Sequence, residues 1–346
     1  MITVLVVDDS AFSRKTIAKI LENIPDVEVV DIAVDGRDAL KKTLRLKPDL
    51  ITLDLEMPGM DGFTFLRWLM NTAPTPVIVV SAQEADDNVF KAMDLGAVDF
   101  VIKPTRHASM QLEEIKADLL EKVLATPLLK MRKIEERMVR EAESKRKTLA
   151  QAAPEERPNL IGIASSTGGP PAIQQILSEL PEGFDVPVLV AQHMPPTFTT
   201  LFAERLNKYT TLKVTEARDE GAIYPGCCYI APGGKHLLVE KRGSGFVTLV
   251  RDRHLDRRYS PSANLLFRSI AQSSKAQTIG AILTGMGDDG RDGLKEIKAQ
   301  GGITIAESER TAIIFGMPQE AIKTGCVDYV LPLHEISSHI TSLCRF

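Results

Sequence analysis

Cysteine is scarce in this sequence: four residues in 346, Cys227, Cys228, Cys326 and Cys344, with no C-x-x-C pair among them. That spacing argues against a disulfide framework and against a thiolate metal site, so all four are expected to be reduced and structural. No apolar run reaches the roughly 18 residues needed to span a bilayer. The opening Met1-Ile2-Thr3-Val4-Leu5-Val6-Val7 lacks the basic segment of a secretory signal and runs straight into Asp8 and Asp9. The expected location is therefore the cytoplasm. Positive charge is not in excess either: 42 Lys and Arg against 46 Asp and Glu give a formal net charge of -4, which leaves no electrostatic footprint for nucleic acid. What is present, 44% hydrophobic and 25% charged residues, is the composition of a soluble globular protein. The length suits two domains of about 100 to 200 residues each.

Over residues 1–125, short β-branched runs at 3–7, 27–32, 50–53, 77–80 and 98–102 alternate with amphipathic stretches. This alternation predicts βα units feeding a doubly wound parallel sheet of five strands, with function just past the strands' carboxyl ends. Residues 126–158 are densely and oppositely charged, with few large apolar side chains, and end in the breaker segment from Pro154 to Pro158. They predict a linker that buries little. Residues 159–346 return to an α/β pattern. Strands are expected at 160–164, 186–192, 278–284 and 303–306, with a helix near 294–300. The shorter runs 229–231, 237–241 and 246–250, separated by Pro232-Gly233-Gly234 and Gly243-Ser244-Gly245, suggest antiparallel hairpins.

In the first half, Asp8 and Asp9 follow the first strand, Asp54 ends the third, Ser81 the fourth and Lys103 the fifth. Strand ends of such a sheet converge, and three carboxylates in one pocket call for a hard divalent cation with oxygen ligands, for which Mg²⁺ is suited. Each acid alone would more often cap a helix or solvate a loop; five suitable residues at matching strand ends favour a phosphoryl-accepting pocket. Asp54 would be the nucleophile, with Lys103 and Ser81 contacting the phosphoryl oxygens. Val7-Asp8-Asp9-Ser10, Asp54-Leu55-Glu56-Met57-Pro58-Gly59-Met60-Asp61-Gly62, Val80-Ser81-Ala82 and Lys103-Pro104 together resemble the response-regulator receiver domain. The resemblance implies Asp54 as phosphoacceptor, charged by a histidine kinase. It also implies Mg²⁺ on Asp9, Asp54 and the backbone carbonyl of Glu56, with Asp8 assisting. Phe100 falls at the aromatic switch position, although a core role suits that ring equally.

A receiver says only that something is regulated, so the activity must lie in the second half. Ser165 and Ser166 follow one predicted strand, His193 another, and Asp288 and Asp289 a third. Strand ends of one sheet can join a serine nucleophile, an imidazole base and an orienting carboxylate that are far apart in sequence. The Thr167-Gly168-Gly169 turn, and Gly285-Met286-Gly287, offer free backbone N–H groups for an oxyanion hole. Taken singly, the serines suit a tight turn, His193 a structural role, and Asp288 or Asp289 a helix cap. The segment is not a phosphate loop of the G-x-x-x-x-G-K or G-x-G-x-x-G kind, nor a G-x-S-x-G elbow.

Six longer motifs occur in order: Ser166-Thr167-Gly168-Gly169-Pro170, Gln192-His193-Met194-Pro195-Pro196, Ile230-Ala231-Pro232-Gly233, Pro261-Ser262, Leu283-Thr284-Gly285-Met286-Gly287-Asp288-Asp289-Gly290 and Phe315-Gly316-Met317-Pro318. Together they closely resemble the catalytic domain of the chemotaxis protein-glutamate methylesterases, the CheB family, and with the receiver the resemblance spans nearly the whole chain. It implies Ser166 as nucleophile, His193 as base and then acid, and Asp289 as orienting carboxylate; the glycine turns beside them make Thr167, Gly168 and Met286 the oxyanion candidates. It also implies the substrate, glutamate methyl esters on chemoreceptors, with deamidation of particular glutamines, and no cofactor for hydrolysis. The protein would touch membranes only through those receptors. Two positions depart from the family pattern: Ser165, where a small Ala is usual, and Asp288, where Asn is usual. An extra carboxylate at 288 would act on His193 or simply face solvent. The domain order leads to the expectation that phosphorylation of Asp54 shifts the protein toward an open, active form. A phosphorylation-controlled transcription factor would need a basic helix-turn-helix after the linker, and none is visible. A pseudoenzyme would not be expected to keep Ser166, His193 and Asp289.

Overall fold

The computed structural model describes residues 1–81, 87–103, 109–128, 157–255 and 258–346, with the backbone alone at Ser81, at residues 109–114, at Leu128 and at Leu255. Ala82 and Pro104 of the receiver motifs, and most of the predicted linker, lie outside the described residues. The chain divides into two compact units, Met1–Glu143 and Ser144–Phe346.

In the first unit, β1 (Ile2–Val7), β2 (Val27–Ala33), β3 (Leu50–Asp54), β4 (Val77–Ser81) and β5 (Asp99–Ile102) form one sheet in the order β2-β1-β3-β4-β5. All its pairings are parallel. Leu50, Ile51 and Leu53 are fully buried, as expected of a central strand covered on both faces. The intervening helices are α1 (Ala11–Glu22), α2 (Gly36–Leu46), α3 (Gly62–Thr72) and α4 (Asn88–Asp94), and α5 (Ser109–Leu124) follows β5. Short polar residues start three of them by accepting first-turn N–H groups: Ser10 from Ser13, Asp35 from Asp38 and Asp61 from Thr64. Asp54 and Asp61 thus belong to one motif but do different work, the first closing a strand and the second capping a helix.

The second unit holds a seven-stranded parallel sheet in the order β15-β14-β13-β6-β7-β10-β8. Its strands are β6 (Leu160–Ser165), β7 (Val188–Gln192), β8 (Lys213–Glu216), β10 (Cys227–Ile230), β13 (Thr278–Ile282), β14 (Ile303–Glu307) and β15 (Tyr329–Leu331). The helices are α6 (Gly169–Ser178), α7 (Pro196–Leu206), α8 (Ala263–Ser274), α9 (Arg291–Ala299), α10 (Met317–Lys323) and α11 (Leu333–Leu343). A separate antiparallel sheet pairs β11 (Lys235–Arg242) with β12 (Gly245–Asp252) and β12 with β9 (Gly221–Ala222).

The hairpin expectation holds for β11 and β12 and fails for the run at 229–231. β10 lies parallel between β7 and β8 in the main sheet, with Cys228, Tyr229 and Ile230 buried. Three consecutive buried residues mark a strand covered on both faces, where a one-sided hairpin strand would alternate. All four cysteines are unpaired, and Cys228, Cys326 and Cys344 are buried. Among the described residues, no helix is long and apolar enough to cross a membrane.

Candidate active site and phosphoryl-acceptor pocket

Both pockets lie where the strand order reverses, the place where α/β sheets bind ligands. In the first unit β1 and β3 are neighbours, although β2 comes between them in sequence. Their ends bring carboxylate oxygens of Asp8, Asp9 and Asp54 within 4.8 Å of one another, with Asp8 and Asp54 buried and Asp9 exposed. Lys103, just past β5, places Nζ 2.6 Å from Asp54 Oδ2 and 3.0 Å from Asp8 Oδ2. Burial, reinforced by the charge of Asp54, pushes the Asp8 carboxyl up to about 6 despite Lys103. The Lys103 ammonium is held above its usual value: burial pulls it down, but Asp54 and Asp8 outweigh that. Asp8 Oδ2 has no hydrogen bond of good geometry even beside Lys103. A crowded set of hard oxygen donors, three carboxylates with Lys103 paired to two of them, fits a divalent cation. Glu56 is exposed and its amide donates to Asp54 Oδ1 at 3.3 Å. Ser81 closes β4 as expected, while its predicted phosphoryl contact falls on a side chain outside the description. Phe100 is buried against Phe90, ring centroids 6.5 Å apart, with Lys122 Nζ 5.3 Å from its centroid, so here the ring is part of the core.

In the second unit, Ser166, His193 and Asp289 follow the adjacent strands β6, β7 and β13. Ser166 is 8% exposed and its N–H donates to Thr284 O at 3.0 Å. His193 Nε2 lies 2.9 Å from Asp289 Oδ2, which leaves Nδ1 as the ring nitrogen available to a hydroxyl. Asp289 is fully buried and saturated with donors: Ala263 N to Oδ2 at 2.6 Å, and Asn264 N at 2.9 Å, Gly290 N at 3.0 Å and Ser262 Oγ at 3.2 Å to Oδ1. It caps a helix after all, but the helix is α8, which starts at Ala263 upstream, and not α9, which starts just after it. Burial pulls the Asp289 carboxyl upward, yet the His193 hydrogen bond and the Asn264 and Ala263 amides hold it below its usual 3.8.

The turn after β6 is set by two glycines. Gly168 has φ +76° and precedes α6, whose first turn carries Pro170 and Pro171. Across the crevice Gly285 passes so close to Ser166 that a Cβ there would sit 2.8 Å from the serine Cβ. That approach brings Met286 beside the nucleophile turn. Among the described residues the N–H groups of Gly168 and Met286 have no acceptor, the condition an oxyanion hole requires. Thr284 Oγ1 donates to Thr167 O at 2.9 Å, and the Thr284 N–H donates to the buried Glu307 at 2.8 Å, which ties the two loops together.

Neither departure noted in the sequence faces solvent idly. Ser165 is fully buried and donates to Gln192 Oε1 at 2.6 Å. Asp288 accepts from Tyr259 Oη at 3.3 Å and pairs with Arg258 at 3.0 Å and Arg291 at 3.4 Å. The Tyr259 ring lies parallel to His193 at 5.0 Å between centroids. Sequence reasoning gave no part to Gln192, Tyr259 or Ser262. The available signal was a polar glutamine closing the otherwise apolar β7 next to His193; for Tyr259 there was none.

An acidic pocket for phosphoryl transfer on one parallel sheet, and a serine–histidine–aspartate crevice on another, define a hydrolase under response-regulator control. Residues 161–340 match the family model described as CheB methylesterase, and residues 4–114 match that of the response regulator receiver domain. The protein-glutamate methylesterase/protein-glutamine glutaminase 1 of Myxococcus xanthus is 46% identical over 345 residues, covering 100% of this chain and 98% of its own. The corresponding protein of Halalkalibacterium halodurans is 42% identical over 346 residues, covering 99% of each chain. The crystal structure of the Thermotoga maritima CheB methylesterase catalytic domain superposes with a TM-score of 0.52 at 38% identity, covering 54% of this chain and 98% of that one. The chain belongs to the CheB methylesterase family.

Proposed function

We propose that the protein removes methyl esters from glutamate side chains of chemoreceptors, and deamidates particular receptor glutamines, at a rate raised by phosphorylation of Asp54. The observation that carries the hydrolytic reading is the buried Asp289 carboxylate, which holds His193 at 2.9 Å beside the Ser166 turn. Ser166 Oγ attacks the ester carbonyl while His193 Nδ1 takes the hydroxyl proton, and Asp289 stabilises the imidazolium that forms. The N–H groups of Thr167, Gly168 and Met286 serve the oxyanion. The C–O bond to the methoxy group then breaks, and His193 returns the proton to departing methanol. Water, deprotonated by His193, attacks the acyl-enzyme and leaves glutamate and free Ser166. With glutamine the leaving group is ammonia, and neither step requires a cofactor.

In the receiver, Asp54 Oδ accepts a phosphoryl group from the phosphohistidine of a chemotaxis kinase, forming an acyl phosphate. Asp8, Asp9, Asp54 and the Glu56 carbonyl would hold Mg²⁺, which when bound offsets charge on the phosphoryl oxygens. Lys103, once released from Asp54, and Ser81 would contact the same oxygens. The division is a receiver over 1–125, a linker over 126–158 and a hydrolase over 159–346, acting in the cytoplasm on the receptors' cytoplasmic helices. The test is methanol release from methylated receptor membranes: Ser166→Ala is expected to be inert, whereas Ser165→Ala keeps measurable turnover. The reverse result would move the nucleophile to Ser165.

A further inference from the structure

The reaction leaves two buried polar side chains without a task. Ser165 stands beside the nucleophile, and Gln192, 2% exposed, ends β7 beside the base. Their contacts form a closed set. Ser165 Oγ donates to Gln192 Oε1 at 2.6 Å, while Gln192 Nε2 donates to Ser166 O at 2.9 Å and to His193 O at 3.0 Å. One amide therefore bonds the main chain of both the residue that supplies the hydroxyl and the residue that supplies the imidazole. The two strand ends are also in register, with Ser165 opposite Gln192 and His193 N donating to Ser165 O at 3.1 Å.

The orientation of that amide is determined by its neighbours. Turned over, its oxygen would face two carbonyl oxygens, and the buried set would lose its donors. The Ser165 hydroxyl satisfies the oxygen in the orientation observed; an alanine there would leave it buried without a donor. Room for the pair comes from Gly169: a Cβ at that position would sit 2.0 Å from Gln192 Oε1 and 2.6 Å from Ser165 Oγ. The second glycine of the turn, unlike Gly168, is thus required by this bracket and not by a left-handed backbone.

We propose that Gln192 and Ser165 are positioning residues of the hydrolase: Gln192 sets the spacing of Ser166 and His193, and Ser165 acts through Gln192 by fixing its amide. This rests on Ser166 as nucleophile and His193 as base. Neither side chain touches substrate, so loosening the bracket should slow proton transfer without weakening binding.

The test uses the full chain, methylated receptor membranes and saturating phosphodonor, with Ser165→Ala, Gln192→Leu and the double variant, each checked for folding by circular dichroism. Gln192→Leu should lower kcat roughly 10- to 100-fold, the cost expected of a small misplacement, and Ser165→Ala about tenfold. KM should stay within about twofold of wild type in both. In the Gln192→Leu background, adding Ser165→Ala should change kcat by less than about twofold, because the serine acts through the amide. Additive losses, a change in KM alone, or wild-type kcat in either single variant would overturn the bracket. If Gln192→Leu does not fold, Ser165→Ala carries the decision: a tenfold loss in kcat at constant KM supports the bracket, and wild-type kcat overturns it. Methanol release by Ser166→Ala would instead overturn the nucleophile assignment on which the bracket rests.

Discussion

Both units place their chemistry at the carboxyl ends of parallel strands beside a reversal of strand order, β1 and β3 in one, β13, β6 and β7 in the other. The electrostatics are opposite. In the first unit three carboxylates crowd within 4.8 Å of one another, Lys103 pairs with two of them, and Asp8 is pushed up to about 6. In the second a single carboxylate is saturated with donors and held below its usual value. A pocket of unsettled charge suits an incoming cation and phosphoryl group, which complete it. A pocket whose charge is already satisfied suits a neutral ester, for which the geometry must exist beforehand. The same topology thus serves a switch and a catalyst, and the hydrogen-bond supply around the carboxylates distinguishes them.

Disabling one pocket should leave the other intact. Ser166→Ala should lower kcat for methanol release by on the order of 10⁶-fold while leaving phosphate incorporation at Asp54 unchanged. Loss of phosphorylation in that variant would mean that the two sites are not separate. Asp289→Asn should cost about 10⁴-fold in kcat through loss of the correct imidazole tautomer. A folded Asp289→Asn variant with kcat within about tenfold of wild type would argue that Asp289 only supports the fold.

Asp289 also makes the electrostatic difference between the pockets measurable. Because the folded-state carboxyl lies below its usual 3.8, its stabilisation is present above that value and lost as pH falls through the folded-state pKa. The gap in urea midpoint between wild type and Asp289→Asn should therefore shrink as pH is lowered from 5 to below 3, and a constant gap would contradict the charge argument. The smallest effect is expected at the rim. Asp288→Asn keeps an acceptor for Tyr259 and loses only ion pairs with Arg258 and Arg291, worth about 1 kcal/mol or less, so kcat should change less than about fivefold. A larger loss would place Asp288 in the catalytic arrangement itself.

Much of this was legible in the sequence because strand ends carry the chemistry and strands announce themselves by periodicity. Asp54, Lys103, Ser166, His193 and Asp289 all follow or end such runs. What was not legible depends on contacts between distant residues. The donors on Asp289 come from Ala263 and Asn264, 26 and 25 residues upstream, so its cap role could only be guessed for the wrong helix. β10 was mistaken for a hairpin strand because a turn of Pro232, Gly233 and Gly234 follows it, while its partners β7 and β8 are set by the whole sheet. Ser165 is unexplained until β6 and β7 lie side by side and bring Gln192 within 2.6 Å.

Control of the hydrolytic pocket by the charged one is read from methanol release by methylated receptor membranes with and without a small phosphodonor and Mg²⁺. The donor should raise the rate of the wild-type protein and leave Asp54→Asn at its donor-free rate. Equal rates with and without donor in the wild type, or the same donor response in Asp54→Asn, would contradict it.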